Sequence, residues 1–244
     1  MSVRTFVIGD IHGALKALQQ LIATLELQPD DRLIFLGDYV DGWPESAQVI
    51  DYLMELENSY HCLFIRGNHD AWCEDWLAGK NADQVWLFHG GAATVESYKK
   101  YTAERKLEHL QFFNRLMNYH VDEYNRLFIH AGFSSMHGPE KEPYSSNYSW
   151  DRTLWETARC LDPRIPTDSK LFPKRLLLFH EIFIGHTPTL YYDIDVPMQG
   201  GNVFNIDTGA AFHGKLTAMN IDTRQFWQSE IVQQLYPQHK GRKI

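Results

Sequence analysis

The sequence predicts an α/β fold, and three observations carry that prediction. Short apolar runs bounded by glycine alternate with helical patterns over the first 70 residues. Such runs read as buried strands. Five of them stop on a residue able to bind a metal, and ligands collect at the carboxyl ends of strands in open α/β sheets. At 244 residues the chain is long enough for one such domain with a sizeable insertion, so residues 1–244 are read as a single domain.

The elements follow in order. Phe6-Val7-Ile8 forms a strand that runs into Gly9-Asp10-Ile11-His12-Gly13. Leu15, Leu18, Ile22 and Leu25 recur at helical spacing until Pro29-Asp30-Asp31 breaks the pattern. Leu33-Ile34-Phe35-Leu36 is a second strand, ending at Gly37-Asp38. Pro44-Glu45-Ser46 is helix-opening chemistry, and Val49, Ile50, Leu53, Met54 and Leu56 make the buried stripe that follows. The strand Cys62–Ile65 leads through Arg66-Gly67 to Asn68-His69-Asp70. This β-α-β-α-β order implies right-handed crossovers and a sheet covered by helices.

Residues 71–120 read as a mostly helical, aromatic-rich insertion, with Leu107, Leu110, Phe113 and Met117 on one apolar face. Its aromatics are read mainly as core, and also as one wall of a substrate cleft. Leu127-Phe128-Ile129 ends at His130-Ala131-Gly132, and Ile182-Phe183-Ile184 ends at Gly185-His186-Thr187. Between them, residues 133–180 are irregular and carry Pro139, Pro143, Pro163, Pro166 and Pro173, a length of loop that is usually functional. Strand-like runs follow at 202–207, 215–221 and 225–231.

Composition narrows the function classes. A formal charge of −8 argues against an electrostatic nucleic-acid footprint, and requires that an anionic substrate be drawn by a local positive site. No run approaches the roughly 18 apolar residues of a membrane helix. Cys62, Cys73 and Cys160 form no C-x-x-C pair and read as reduced thiols. With no signal-peptide pattern, the expected compartment is the cytoplasm. The basic stretch Lys240-Gly241-Arg242-Lys243 is expected to fray.

The strand-end residues define the chemistry. Asp10 and His12 are two apart, so an extended chain projects both to one side, where they can share a metal. Asp38 can bridge to a second ion through its other lone pairs. Asn68, His130 and His186 would complete that second site. The set offers oxygen and imidazole donors without thiolate, which suits Mn, Fe or Zn; two divalent ions are expected, with Mn²⁺ preferred. Such a pair can activate water and clamp a phosphoryl group. His69, beside Asn68, is placed to protonate a leaving oxygen, with Asp41 orienting the imidazole. Asp207 is read as orienting the site rather than binding metal.

GDIHG at 9–13, GDYVDGWPES at 37–46, RGNHD at 66–70, HAG at 130–132 and GHT at 185–187 resemble, in this order, the motifs of the calcineurin-like metallophosphoesterases. The spacing is most similar to the phosphoprotein phosphatase branch, including small bacterial and phage Ser/Thr protein phosphatases, and IDTGA at 206–210 extends the match. The resemblance implies an αββα sandwich, two mixed sheets packed face to face with helices outside. It implies metal ligation by Asp10, His12, Asp38, Asn68, His130 and His186, an acid dyad of His69 and Asp41, and phosphate binding by Asn68 and Arg152. The expected activity is hydrolysis of phosphomonoesters on phosphoproteins or small molecules. The alternative is a dinucleoside polyphosphate hydrolase, since such enzymes share these motifs. A noncatalytic binding module on the same scaffold is a third reading.

One departure stands out. The resembled pattern has an Arg that contacts phosphate where this chain has Gly42, followed by Trp43. Arg66, Arg152 or a basic residue at 174–175 is expected to substitute for it. Trp43 is read as packed under the loop, with a base-stacking surface as the alternative. Asp70 is given no role.

Overall fold

A computed structural model describes residues 3–242. In chain order its strands are β1 (Thr5–Ile8), β2 (Arg32–Phe35), β3 (His61–Phe64), β4 (Tyr119–Val121), β5 (Arg126–Ile129), β6 (Glu181–Ile184), β7 (Met198–Gly200), β8 (Val203–Asn205), β9 (Thr217–Asn220) and β10 (Phe226–Gln228). They form two five-stranded sheets, ordered β10-β9-β1-β2-β3 and β4-β5-β6-β8-β7. In the first, β1, β2 and β3 pair in parallel, while β9 pairs antiparallel with β1 and β10 antiparallel with β9; in the second, β5, β6 and β8 pair in parallel and the antiparallel strands β4 and β7 close the edges.

Three apolar clusters explain the layering. Val7, Ile34, Leu36, Phe128, Phe183, Ile206 and Met219 are buried between the sheets. Phe6, Ile8, Leu33 and Phe35 point the other way and meet helices α1 (Leu15–Thr24) and α2 (Ser46–Glu57). On the far side, Leu127, Ile129 and Ile182 pack against Leu154 and Trp155. Alternate residues of each central strand thus face two different cores, which is why these strands read as unbroken apolar runs. The architecture is the expected αββα sandwich of two mixed sheets.

The insertion is helical, and its longest helix, Ala103–Asn114, buries Phe113 as expected but not Leu107. His109, Phe112 and Phe113 are buried, whereas Leu107 is 55% exposed. His109 is drawn inward by bonds to Tyr98 and Asp51, and the aromatic rings of Phe112 and Phe64 meet at 5.0 Å. The stretch 133–180 is less irregular than its prolines suggest. It carries the helix Thr153–Arg159, whose Leu154, Trp155 and Ala158 are core residues.

Candidate active site

The ends of β1, β2, β3, β5 and β6 converge on one cavity of about 430 Å³. Asp10, His12, Asp38, Asn68, His69, Arg152, His186 and Asp207 line it. His130 is fully buried beneath it, its Nε2 3.2 Å from Asn68 Oδ1. The expected site residues therefore come together, though they are spread over nearly 180 positions of sequence.

Asp38 is the shared member. Its carboxylate groups with His12 and His69 on one side and with His130 and His186 on the other, each trio having ligand atoms within 4.8 Å. Asp38 Oδ2 lies 3.4 Å from His12 Nε2 and 3.5 Å from His130 Nε2. Donors bound to one ion at about 2.1 Å stand roughly 3.0–3.5 Å apart, so both spacings suit a common cation. Asp10 Oδ2 is 3.9 Å from His12 Nε2. The donor set fits two divalent ions.

The rings are held for this geometry. His12 Nδ1 donates to the carbonyls of Val40 and Asp41, both at 3.1 Å, and His130 Nδ1 donates to that of Leu36 at 2.7 Å. Each ring is thereby turned so that Nε2 faces the carboxylates. The backbone is bent to match: His12, Asp38, Asp41 and His186 all have positive φ, from 53° to 74°. Such residues are sparsely populated outside glycine and concentrate at functional sites.

Electrostatics follow from burying these groups together. Burial, with Asp207 and Asp38 nearby, pushes the Asp10 carboxyl well above its usual range. Burial acts the same way on Asp38, but His130 and His69 outweigh it and hold Asp38 well below that range. Burial alone would lower His130, yet Asp38 and Asp10 lift it to about 10.

His69 and Asp41 form the expected pair, with Nδ1 donating to Asp41 Oδ2 at 2.6 Å. That leaves Nε2 as the ring's free nitrogen. Burial lowers His69 to about 3 and raises Asp41 to about 7, the latter against the hydrogen bonds from Thr94 and Trp86 that favour its carboxylate. Asp41 is also bonded by Trp86 Nε1 at 2.7 Å and Thr94 Oγ1 at 2.5 Å. The insertion therefore builds the seat of the dyad, a role not visible in sequence spacing.

Asp70 was given no role, and here it is central. Its carboxylate accepts the backbone N–H groups of Gly67, Asp38 and Tyr39 at 2.8, 2.8 and 2.9 Å, tying the β2 and β3 loops together. Its place at the third position of helix α3 (Asn68–Leu77) is a helix-capping signal that could have revealed it. Gly67 allows this close approach: a Cβ there would lie 2.1 Å from Asp38 Oδ1.

Of the residues expected to replace the absent Arg, Arg152 lines the cavity, with Nε 3.4 Å from His186 Nε2. Arg66 and Arg175 are engaged elsewhere. Arg66 is paired with Glu74, and Arg175 is bonded to the Phe133 carbonyl at 2.6 Å. Trp43 is fully buried, donates to the Ala210 carbonyl at 2.7 Å and stacks on Tyr236 at 5.4 Å, so it offers no face to a base. The basic stretch is not frayed up to Arg242, whose backbone N–H bonds the Ala211 carbonyl at 2.8 Å. Lys243 lies outside the described residues. Cys62, Cys73 and Cys160 are all free thiols, and among the described residues no helix is long and apolar enough to cross a membrane.

An αββα sandwich with paired cation sites at its strand ends defines a metal-dependent phosphoesterase class. Residues 3–213 match the profile of the calcineurin-like phosphoesterases, and the chain belongs to that family. A curated relative, the asymmetrical bis(5'-nucleosyl)-tetraphosphatase PrpE of Oceanobacillus iheyensis, is 26% identical over 90% of this chain and 89% of its own. A crystal structure of a presumed diadenosine tetraphosphatase superposes with a TM-score of 0.63 at 17% identity, over 93% of each chain. A Saccharomyces cerevisiae protein serine/threonine phosphatase similar to human phosphatase PP5 gives 0.61 at 16%, over 93% of this chain and 80% of the other. These structures share the fold with both expected activities, while the curated relative carries the name of the alternative.

Proposed function

We infer that the chain hydrolyses dinucleoside polyphosphates, cleaving asymmetrically to a nucleoside triphosphate and a nucleoside monophosphate. The observation that carries this reading over a protein phosphatase is an aromatic wall beside the cation cluster. Trp72 and His89 lie nearly parallel, 10° apart with centroids at 6.4 Å, and Trp150 meets Trp72 edge-on at 5.3 Å. All three line the cavity with His69 and His186, and Trp150 is 45% exposed. Exposed π faces next to an anion site suit a nucleobase attached to phosphate, and base–aromatic stacking contributes roughly 1–3 kcal/mol. The curated relative's name supports the same substrate class.

In this reading Asp10, His12 and Asp38 hold one divalent ion, and Asp38, Asn68, His130 and His186 hold the second, Mn²⁺ being preferred for the donor set. The ions supply Lewis acidity and positive charge for in-line displacement at phosphorus. Asn68 and Arg152 bind phosphoryl oxygens. Protonated on both nitrogens, His69 would give its Nε2 proton to the leaving oxygen while Asp41 holds the ring through Nδ1. Asp207, whose Oδ1 accepts the Gly209 N–H at 2.9 Å, fixes the wall beside Asp10.

Product analysis tests the reading. The metal-loaded protein given diadenosine tetraphosphate should yield ATP and AMP. Trp72→Ala should raise KM for the dinucleotide by roughly 5- to 100-fold, and leave KM for p-nitrophenyl phosphate nearly unchanged. Higher kcat/KM for orthophosphate release from phosphopeptides would return the reading to a protein phosphatase.

A further inference from the structure

Among the described residues, the arginines divide into two groups. Arg4, Arg32, Arg66, Arg105, Arg115, Arg126, Arg159, Arg164, Arg175 and Arg224 are each paired with a carboxylate. Arg152 and Arg242 have no such pairing among the described residues, and both line the active cavity. A guanidinium left without a carboxylate, in a protein of formal charge −8, is available for an incoming anion.

The placement of Arg242 depends on Gly42 and Trp43. A Cβ at position 42 would lie 3.3 Å from Arg242 Cγ and 3.6 Å from Cδ, so the aliphatic stem of Arg242 crosses the space beside Gly42. Trp43 supports the segment from below. A Cβ at Gly241 would lie 2.6 Å from Trp43 Cζ2 and 2.7 Å from the Ala211 carbonyl, so this approach requires glycine at 241. The Arg242 guanidinium stands 5.5 Å from the centre of the Phe212 ring, and the bond from its backbone N–H to Ala211 fixes the segment. Its charge also bears on His12, His69, Asp41 and Asp207, which surround the cavity.

We propose that Arg242 is a substrate-binding residue that donates to phosphoryl oxygens in partnership with Arg152, and that Gly42, Trp43 and Gly241 together form the seat that delivers it. Positions 42–43 and 241–242 act as one unit: a small residue and a flat ring in the loop after β2 make room for an arginine from far along the chain. This rests on the family's phosphoester chemistry and not on the dinucleotide reading.

The test uses Arg242→Ala and Arg242→Lys in the metal-loaded full chain, with p-nitrophenyl phosphate turnover and calorimetric titration of inorganic phosphate. Neither probe carries a base. Arg242→Ala should keep its full metal content and melting temperature, weaken phosphate binding by about 10- to 100-fold, and lower kcat/KM mainly through KM. Arg242→Lys should recover part of the loss, since it restores a point charge but not a planar fork. Millimolar guanidinium should restore turnover to Arg242→Ala and do nothing for wild type. Arginine at position 42 is not a suitable rescue, because Gly42 has φ +104°, which side-chain-bearing residues rarely adopt. Phosphate affinity and KM within twofold of wild type would overturn the proposal. So would loss of metal from Arg242→Ala, which would make the residue part of the cluster's scaffold. Failure to cleave dinucleotides alongside weakened phosphate binding would sink only the nucleotide reading.

Discussion

Asp41→Asn separates the charge of the dyad from its shape. Asn is nearly isosteric, and among residues with side chains it tolerates the positive φ of 74° at this position. Its amide oxygen can accept from His69 Nδ1 and Trp86 Nε1, which both approach Oδ2, while its NH₂ faces Thr94 Oγ1. What is lost is the negative charge beside the imidazole. A charge-assisted hydrogen bond contributes about 1.5–3 kcal/mol, which corresponds to roughly 10- to 100-fold in rate if the full amount acts on the proton donor. How much is expressed depends on the leaving group. A serine alkoxide, with basicity near that of hydroxide (pKa about 15.7), needs its proton in the transition state. A nucleotide leaves as a phosphate, whose second pKa is about 6, and hardly needs one. The assay is kcat for Asp41→Asn and His69→Asn on a phosphoserine peptide, p-nitrophenyl phosphate and diadenosine tetraphosphate. The phosphopeptide should show the full loss and the other two a small fraction of it. Equal losses on all three would refute the general-acid assignment and make the dyad a structural element. The same substitution has a pH signature without metal. The Asp41 carboxyl is raised from 3.8 to about 7, so its contribution to stability is fully present below pH 3.8 and is lost as pH rises through 7. In chelator, Asp41→Asn should therefore lose less melting temperature than wild type between pH 4 and pH 8.

Three further outcomes are expected. Asp38→Asn should release both ions and abolish turnover, and elemental analysis finding two metals in an active variant would exclude the bridging role. Metal uptake should release protons at pH 7, because His130, lifted to about 10, holds a proton that an ion must displace. Calorimetry in buffers of different ionisation enthalpy measures this, chelation should stop turnover, and Mn²⁺ should restore it. Asp70→Asn should lower stability by about 1–3 kcal/mol, since one of three buried N–H donors must then face an amide NH₂; a melting temperature equal to wild type would show that Asp70 does not tie the two loops.

The parts legible in sequence were those set by short-range rules. Apolar runs ending in Gly-Asp, Asn-His or Gly-His gave the central strands and the residues around the cavity, because strand direction and ligand position are coupled in an α/β sheet. The edge strands β4 and β7 were not legible: each is three residues long, and only its partner strand defines it. The buried face of Ala103–Asn114 was legible only at Phe113, because a histidine satisfied by Tyr98 and Asp51 takes an inward position that an apolar count would refuse it. Trp86 and Thr94 were missed because they reach Asp41 across 45 and 53 positions, with no local signal of the contact. Arg242 lies beyond the residues matched by the family profile, and its sequence neighbourhood resembles an ordinary basic tail.

The charge distribution connects these elements. Asp10, Asp38, Asp41, Asp70 and Asp207 are all buried around one cavity, an arrangement that water cannot stabilise. Asp70 and Asp41 are compensated locally, the first by three backbone N–H groups and the second by His69, Trp86 and Thr94. Asp10 and Asp38 have histidines as their closest basic neighbours, and those rings are oriented by carbonyls so that Nε2 faces the carboxylates. Such a pocket holds its charges only when protons or divalent ions balance them. Two divalent ions would bring four positive charges against the two carboxylates of Asp10 and Asp38, which would make the ligand cluster itself positive inside a negative protein. Arg152 and Arg242 then add charge of the same sign as the ions at the cavity wall, which would be destabilising without an anion between them. The pairing of all the other described arginines and the opening of these two into the cavity are thus one feature: the site keeps positive charge free for an anionic phosphoryl group.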